Sequence, residues 1–207
     1  MHTRSPADFL RELNVSTEPE DHHFTGPPSV WQAENEGSVF HIEGRILYSL
    51  AFKYPGLILE IGSDLGVSTR YIHQGLDDAL EQSHTLEPAH IYCVDPIHKW
   101  PEDASWPRRH RIVGYSPSDI PLLEYDWAFI DGDHRYDGVM ADIAAAKNLV
   151  HGPLVFHDTA PRFSSHTPTN TSDGSEARRA ILDSLPESEW QLTEITSPCG
   201  LIYAIRK

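Results

Sequence analysis

The sequence predicts an α/β domain of the doubly wound kind, with a mostly parallel sheet of seven strands. Three observations carry the prediction. An apolar run, Leu57-Ile58-Leu59, continues through Glu60-Ile61 into a turn punctuated by Gly62 and Gly66 and then into a helical pattern from Val67. Short apolar runs bounded by turn residues recur along the chain and alternate with helical spacing, the pattern of buried parallel strands and their crossovers. Several of those runs end in an acid or an imidazole, which concentrates polar chemistry at one edge of a sheet.

In chain order, Ser5 caps a first helix, Pro6 suits its first turn, and Phe9, Leu10 and Leu13 form its apolar stripe. Glu18 to Gly37 is polar, broken by Pro27 and Pro28, and carries His22, His23, Phe24 and Trp31. A loop of that length is expected to be a lid, or a surface arm that lays Trp31 on the core. Residues 1–40 are set apart as an N-terminal helix and arm, and 41–207 as the domain proper. His41 to Lys53 has helical spacing in Ile42, Ile46, Leu47, Leu50 and Phe52, and Tyr54-Pro55-Gly56 turns it into the first strand. Arg70 to Leu80 continues the helix after the glycine turn, with Ile72, Leu76 and Leu80 inward. His90 to Asp95 is the second strand, stopped by Pro96. Arg111 to Gly114 is a short third, followed by Tyr115-Ser116 and a loose turn from Pro117 to Leu123. Trp127 to Ile130 is the fourth, and Tyr136 starts a helix with Val139, Ile143, Ala146 and Val150 on one face. Gly152-Pro153 leads to the fifth, Leu154 to Phe156. Ala160 to Ser175, rich in Ser, Thr, Pro and Asn, reads as a lid or a solvated loop. Glu176 to Leu185 is helical. Trp190 to Thr196 and Leu201 to Arg206 are the last strands, joined by Ser197-Pro198-Cys199-Gly200.

Composition bounds the function. The 207 residues suffice for one sizeable domain, and 39% hydrophobic with 23% charged residues is ordinary for a soluble protein. A net charge of −15 argues against a broad nucleic-acid footprint, and the one basic cluster, Arg108-Arg109-His110-Arg111, reads as a solvated face. Cys93 and Cys199 lie far apart without CxxC spacing, so neither a disulfide framework nor a zinc site is expected, and a reducing cytoplasm is. No signal peptide or run of membrane length is present, so no membrane partner is expected. Homo-oligomerisation is left open.

Two stretches carry chemistry. Glycine at the first turn lets backbone approach a ligand, and the first free N–H groups of the following helix face it. The spacing is G-x-x-x-G with Asp64 inside it, whereas the dinucleotide pattern is G-x-G-x-x-G. An acid there would repel a pyrophosphate. Asp95, closing the second strand, is placed to accept both hydroxyls of a ribose. In the second stretch, the fourth strand delivers Asp131-Gly132-Asp133-His134 to the carboxyl edge and the fifth delivers His157-Asp158-Thr159 beside it. Asp131, His157 and Asp158 offer two hard oxygens and one nitrogen, which suit Mg²⁺ or Mn²⁺. A protonated His157 bridging Asp131 or Asp158 with no ion is the simpler alternative. Asp133 or His134 would serve as a general base.

Glu60-x-Gly62-x-x-x-Gly66 resembles motif I of class I S-adenosylmethionine-dependent methyltransferases. FIDGDHRYDGVMADI followed by FHDT is similar to the branch that includes macrocin O-methyltransferase, shared with cephalosporin hydroxylase-like proteins. The resemblance spans Leu57 to Thr159. It implies a Rossmann-like sheet closed by an antiparallel C-terminal hairpin. It implies S-adenosylmethionine bound through Glu60, Gly62, Ser63, Gly66, Ser68, Asp95 and Asp131, with Tyr115 and Ser116 bordering the adenine. It implies a divalent cation at Asp131, His157 and Asp158, and Asp133 as the base. His157 departs from the more usual acid or amide there. The expected activity is metal-assisted O-methylation of a small hydroxylated acceptor such as a sugar, phenol or natural product. A hydroxylase on the same fold, and a donor-binding protein without turnover, remain as alternatives.

Overall fold

The computed structural model describes residues 5–13, 39–83, 89–99, 108–160 and 174–207. The arm from 18 to 37 and most of the second candidate lid, 161–173, lie outside the described residues. The elements are α1 (Pro6–Glu12), α2 (His41–Lys53), β1 (Leu57–Ile61), α3 (Val67–Ser83), β2 (His90–Asp95), β3 (Arg109–Val113), β4 (Trp127–Ile130), α4 (Tyr136–Leu149), β5 (Leu154–Phe156), α5 (Gly174–Ser184), β6 (Trp190–Ile195) and β7 (Leu201–Arg206). The strand order is β3-β2-β1-β4-β5-β7-β6. β3, β2, β1, β4 and β5 are parallel, and β7 is antiparallel to both β5 and β6. This is the expected doubly wound sheet with its closing hairpin. The third strand begins two residues earlier than its apolar run suggested, because Arg109 and His110 pair with Ile91 and Tyr92.

Alternation along the strands sorts side chains between two cores. Ile58, Ile91, Cys93, Trp127, Phe129, Val155, Leu201 and Tyr203 face α1, α2 and α3. Leu59, Ile61, Val94, Ala128, Ile130, Leu154, Phe156 and Ile202 face α4 and α5. The helices α2 and α3 pack closely enough to need glycine at their crossing. A Cβ on Gly44 would lie 2.3 Å from the Tyr71 ring, and one on Gly75 would lie 2.3 Å from the Tyr48 carbonyl oxygen. That crossing brings the start of α2 against the carboxyl edge of the sheet. Among the described residues no helix is long and apolar enough to cross a membrane.

Candidate active site

β1 and β2 build one half of the edge. Beyond Ile61 the chain turns at Gly62, with φ +81°, where a Cβ would lie 2.1 Å from the Asp131 carbonyl oxygen. Only glycine lets β1 leave the sheet against the end of β4. Asp64 also has a positive φ, +37°. Asp95 closes the turn from β2. Its Oδ2 accepts from the Ser63 and Asp64 amides at 2.9 and 3.0 Å, and its Oδ1 accepts from the Ile97 amide at 2.8 Å. Oδ2 thus has both lone pairs engaged, while Oδ1 has room for a further donor. The Ser63 hydroxyl meets His98 Nδ1 at 2.9 Å, His98 Nε2 meets the Ile112 carbonyl at 3.1 Å, and Lys99 forms an ion pair with Asp64. The glycine turn, β2 and β3 are thereby tied into one cradle.

Glu60 and Ser68 stand differently from the expected direct ligand contacts. Glu60 shares the Ile58 face of β1, so it points under α3 and is fully buried. The hydroxyls of Ser68 and Thr69 donate to its two oxygens at 2.6 Å each. Burial raises its pKa, with the Cys93 thiol, Ser68 and Thr69 offsetting part of that. The pair braces the glycine turn from within. Ile97, Val113 and Tyr115 stand exposed around the outer side of the cradle. Ser116 is half-buried and faces Asp142 on α4 rather than the edge.

β4 and β5 build the other half. Ile130 pairs with Phe156, so the next residues, Asp131 and His157, stand side by side on the face that looks towards α2. Asp131 Oδ1 lies 3.1 Å from His134 Nε2 and 3.1 Å from His157 Nδ1. Asp158 Oδ2 lies 3.2 Å from His134 Nδ1. His157 Nε2 lies 2.9 Å from Glu43 Oε2 on the first turn of α2. The result is an unbroken row: Asp158, His134, Asp131, His157, Glu43. Burial disfavours the charges on His134, Asp131, His157 and Glu43, and the neighbours overcome that. The imidazoles of His157 and His134 hold Asp131 at about 2. The carboxylates of Asp131 and Asp158 raise His134, and those of Asp131 and Glu43 raise His157 well above its ordinary value. Asp158 keeps its place at φ +53°, a strained conformation for a residue with a side chain.

The donor set for a cation differs from the expected one. Both imidazoles have their ring nitrogens against carboxylates, but the His157 side chain is fully buried under α2 whereas that of His134 is 15% exposed at the edge. His134 takes its place: ligand atoms of Asp131, His134 and Asp158 all lie within 4.8 Å of one another. Two oxygens and one imidazole nitrogen fit a divalent ion of the Mg²⁺ to Zn²⁺ range. Glu43, His157 and Cys199 form a second such group, but Glu43 and His157 are already bonded to each other. Asp133 stands exposed at the mouth, where Arg135 grips both its oxygens and lowers its pKa. Beneath the edge, Gly132, His134, Asp142, Phe156 and Ala177 line a small pocket.

The sequence model of the methyltransferase-domain family matches residues 59–159, from within β1 to just past β5. That stretch, just under half of the chain, matches a methyltransferase domain. No curated protein sequence matches it. Solved structures do. The SAH-bound methyltransferase PaMTH1 of Podospora anserina has a TM-score of 0.63 at 13% identity, covering 93% of this chain and 99% of that one. An O-methyltransferase of Bacillus cereus in complex with SAH has a TM-score of 0.63 at 15% identity, covering 90% and 94%. The O-methyltransferase TomG of Streptomyces achromogenes, involved in tomaymycin synthesis and in complex with SAM, has a TM-score of 0.60 at 17% identity, covering 100% and 99%. At these identities the likeness is one of fold.

The site contains three residues that the sequence did not single out. Glu43 looked like an ordinary helix-start acid, and His98 lay beyond a strand end. Asp142 lay inside an amphipathic helix, where its 4% exposure could not be foreseen. For Glu43 a signal existed in part. Alternation places His157 on the Val155 face of β5, the face that α2 covers.

Proposed function

We propose that the methyltransferase moves the methyl group of S-adenosylmethionine to a hydroxyl of a small acceptor, assisted by a divalent cation at Asp131, His134 and Asp158. The observation that carries this is the convergence of those three side chains within 4.8 Å beside the glycine cradle. In this reading the amides of the glycine turn and Asp95 hold the donor's polar end and ribose. Ile97, Val113 and Tyr115 offer apolar surface for the adenine. The acidic edge suits the positive sulfonium, as does a chain of net charge −15. Holding donor and hydroxyl together removes much of the entropic barrier. When bound, the cation would lower the hydroxyl's pKa. The Asp133 carboxylate at the mouth accepts its proton, a task within reach of a weak base once the hydroxyl is acidified.

A second reading has its own support, in the two short contacts between His134 and the flanking carboxylates. Here no cation binds, and His134, as the neutral imidazole, takes the hydroxyl proton. The experiment is transfer of labelled methyl from the donor to a panel of sugars, phenols and metabolite extracts, before and after exhaustive chelation, with each cation then restored. Transfer that vanishes on chelation and returns with Mg²⁺ or Mn²⁺ supports the first reading. Undiminished transfer without metal supports the second. Absence of transfer to every acceptor, with the donor bound, would leave a binding protein. An oxidised product would point to a hydroxylase.

A further inference from the structure

Glu43 is the one acid of the row that cannot meet a substrate. It is fully buried, on the N-terminal turn of α2, and 114 residues away in sequence from the histidine it contacts. Its oxygens collect bonds from three separate segments. Oε2 accepts from the Phe40 amide at 2.8 Å and meets His157 Nε2 at 2.9 Å, while Oε1 accepts from the Cys199 amide in the β6–β7 turn at 3.1 Å. That turn in turn holds the chain beyond β5, where the Ala160 amide donates to the Cys199 carbonyl at 2.8 Å. A capping acid needs only the Phe40 contact. The other two are unnecessary for starting a helix.

We propose that Glu43 is a positioning residue for the catalytic edge: through the His157 ring it fixes the orientation of the Asp131 carboxylate. The inference rests on the reading that Asp131 lies at the reacting edge. An imidazole gripped at one nitrogen alone can swing about its side-chain bonds. Gripped at both, it presents Nδ1 to Asp131 in a single orientation. Asp131 then has one oxygen, Oδ1, held between His157 and His134 at 3.1 Å from each. Buried, oriented partners of this kind hold the groups that do chemistry to their working geometry. Helix α2, which carries none of the reacting groups, is by this route part of the active site.

The test is Glu43→Gln, which keeps the size of the side chain and an acceptor for one backbone amide but removes the charge. The first readout is the nitrogen-bound ring protons of His157 and His134 by NMR in selectively labelled protein. Loss of the His157 Nε2 signal together with a shift at His134, which Glu43 does not touch, is expected. The second is steady-state kinetics with whichever acceptor of the labelled-donor panel is turned over: kcat should fall tenfold or more while donor affinity stays within twofold. A His134 signal identical to that of the unmutated protein would overturn the proposal, as would an unchanged kcat. Failure of the unmutated protein to transfer methyl to any acceptor would sink the functional reading, while the ring signals would still decide this one. Should Glu43→Gln not fold, Asp131→Asn reports from the other end: the His157 ring must respond, and its indifference overturns the proposal.

Discussion

Asp142→Asn should make the protein more stable, and the gain should depend on pH. Asp142 is 4% exposed under Gly132, and a Cβ on that glycine would lie 3.0 Å from its Oδ2. Burial pushes its carboxyl from 3.8 up to about 6, against the Ser116 hydroxyl, which lowers it. A raised carboxyl pKa means that the fold favours the protonated form. The stability it contributes is therefore present below 3.8 and is lost as pH rises through about 6. Each pKa unit corresponds to about 1.4 kcal/mol, so the ionised form burdens the folded state by about 3 kcal/mol above neutrality. Asparagine removes the charge and keeps the shape of the side chain. The assay is the urea midpoint of both proteins between about pH 5 and about pH 8. The gain should roughly double across that range, reaching about 3 kcal/mol, or roughly 6–12 °C in Tm for a chain of this size. A gain independent of pH, or a loss at every pH, would refute burial of an ionisable carboxyl as the cause.

Asp131→Asn should show the opposite sign. Its carboxyl is held at about 2, so its contribution is present above 3.8 and lost as pH falls through about 2; the substitution should cost about 2–3 kcal/mol near neutrality, read by the same urea midpoints. Asp95→Ala should weaken S-adenosylmethionine binding by about 1–3 kcal/mol in calorimetry, since a charged acceptor for the ribose is lost. Unchanged affinity would confine Asp95 to closing the glycine turn. Asp133→Asn should lower kcat by about a hundredfold with donor affinity intact, in keeping with loss of a general base. A normal kcat in Asp133→Asn, with a dead His134→Gln, would transfer that role to the imidazole.

The architecture was legible because it rests on local periodicity. Leu57 to Leu59, Trp127 to Ile130 and Leu154 to Phe156 are continuous apolar runs, and each lies in a strand buried on both faces. β3 was displaced by two residues because an edge strand with intermediate burial needs no apolar run, and Arg109-His110-Arg111 hides it. The acids and imidazoles at the strand ends were legible as a set, but not their division of labour. Which histidine faces outward depends on the side of the sheet each occupies. His157 follows Val155 to the α2 face and disappears beneath it, whereas His134 swings back over the edge from the β4–α4 loop. Glu43 was invisible because an acid in the first turn of a helix needs no distant partner to account for it. Its distant partners arise only when the sheet order brings β5 and the hairpin turn to the start of α2.

The central claim is that the glycine cradle and the acid–imidazole row form one donor site. It is tested most directly by titrating the isotopically labelled protein with S-adenosylmethionine while following backbone amides by NMR. The account predicts one saturable site, with the largest shifts at Gly62, Ser63, Gly66, Ile97 and Asp131. Absence of saturable binding, or shifts centred away from the carboxyl ends of β1, β2 and β4, would contradict it.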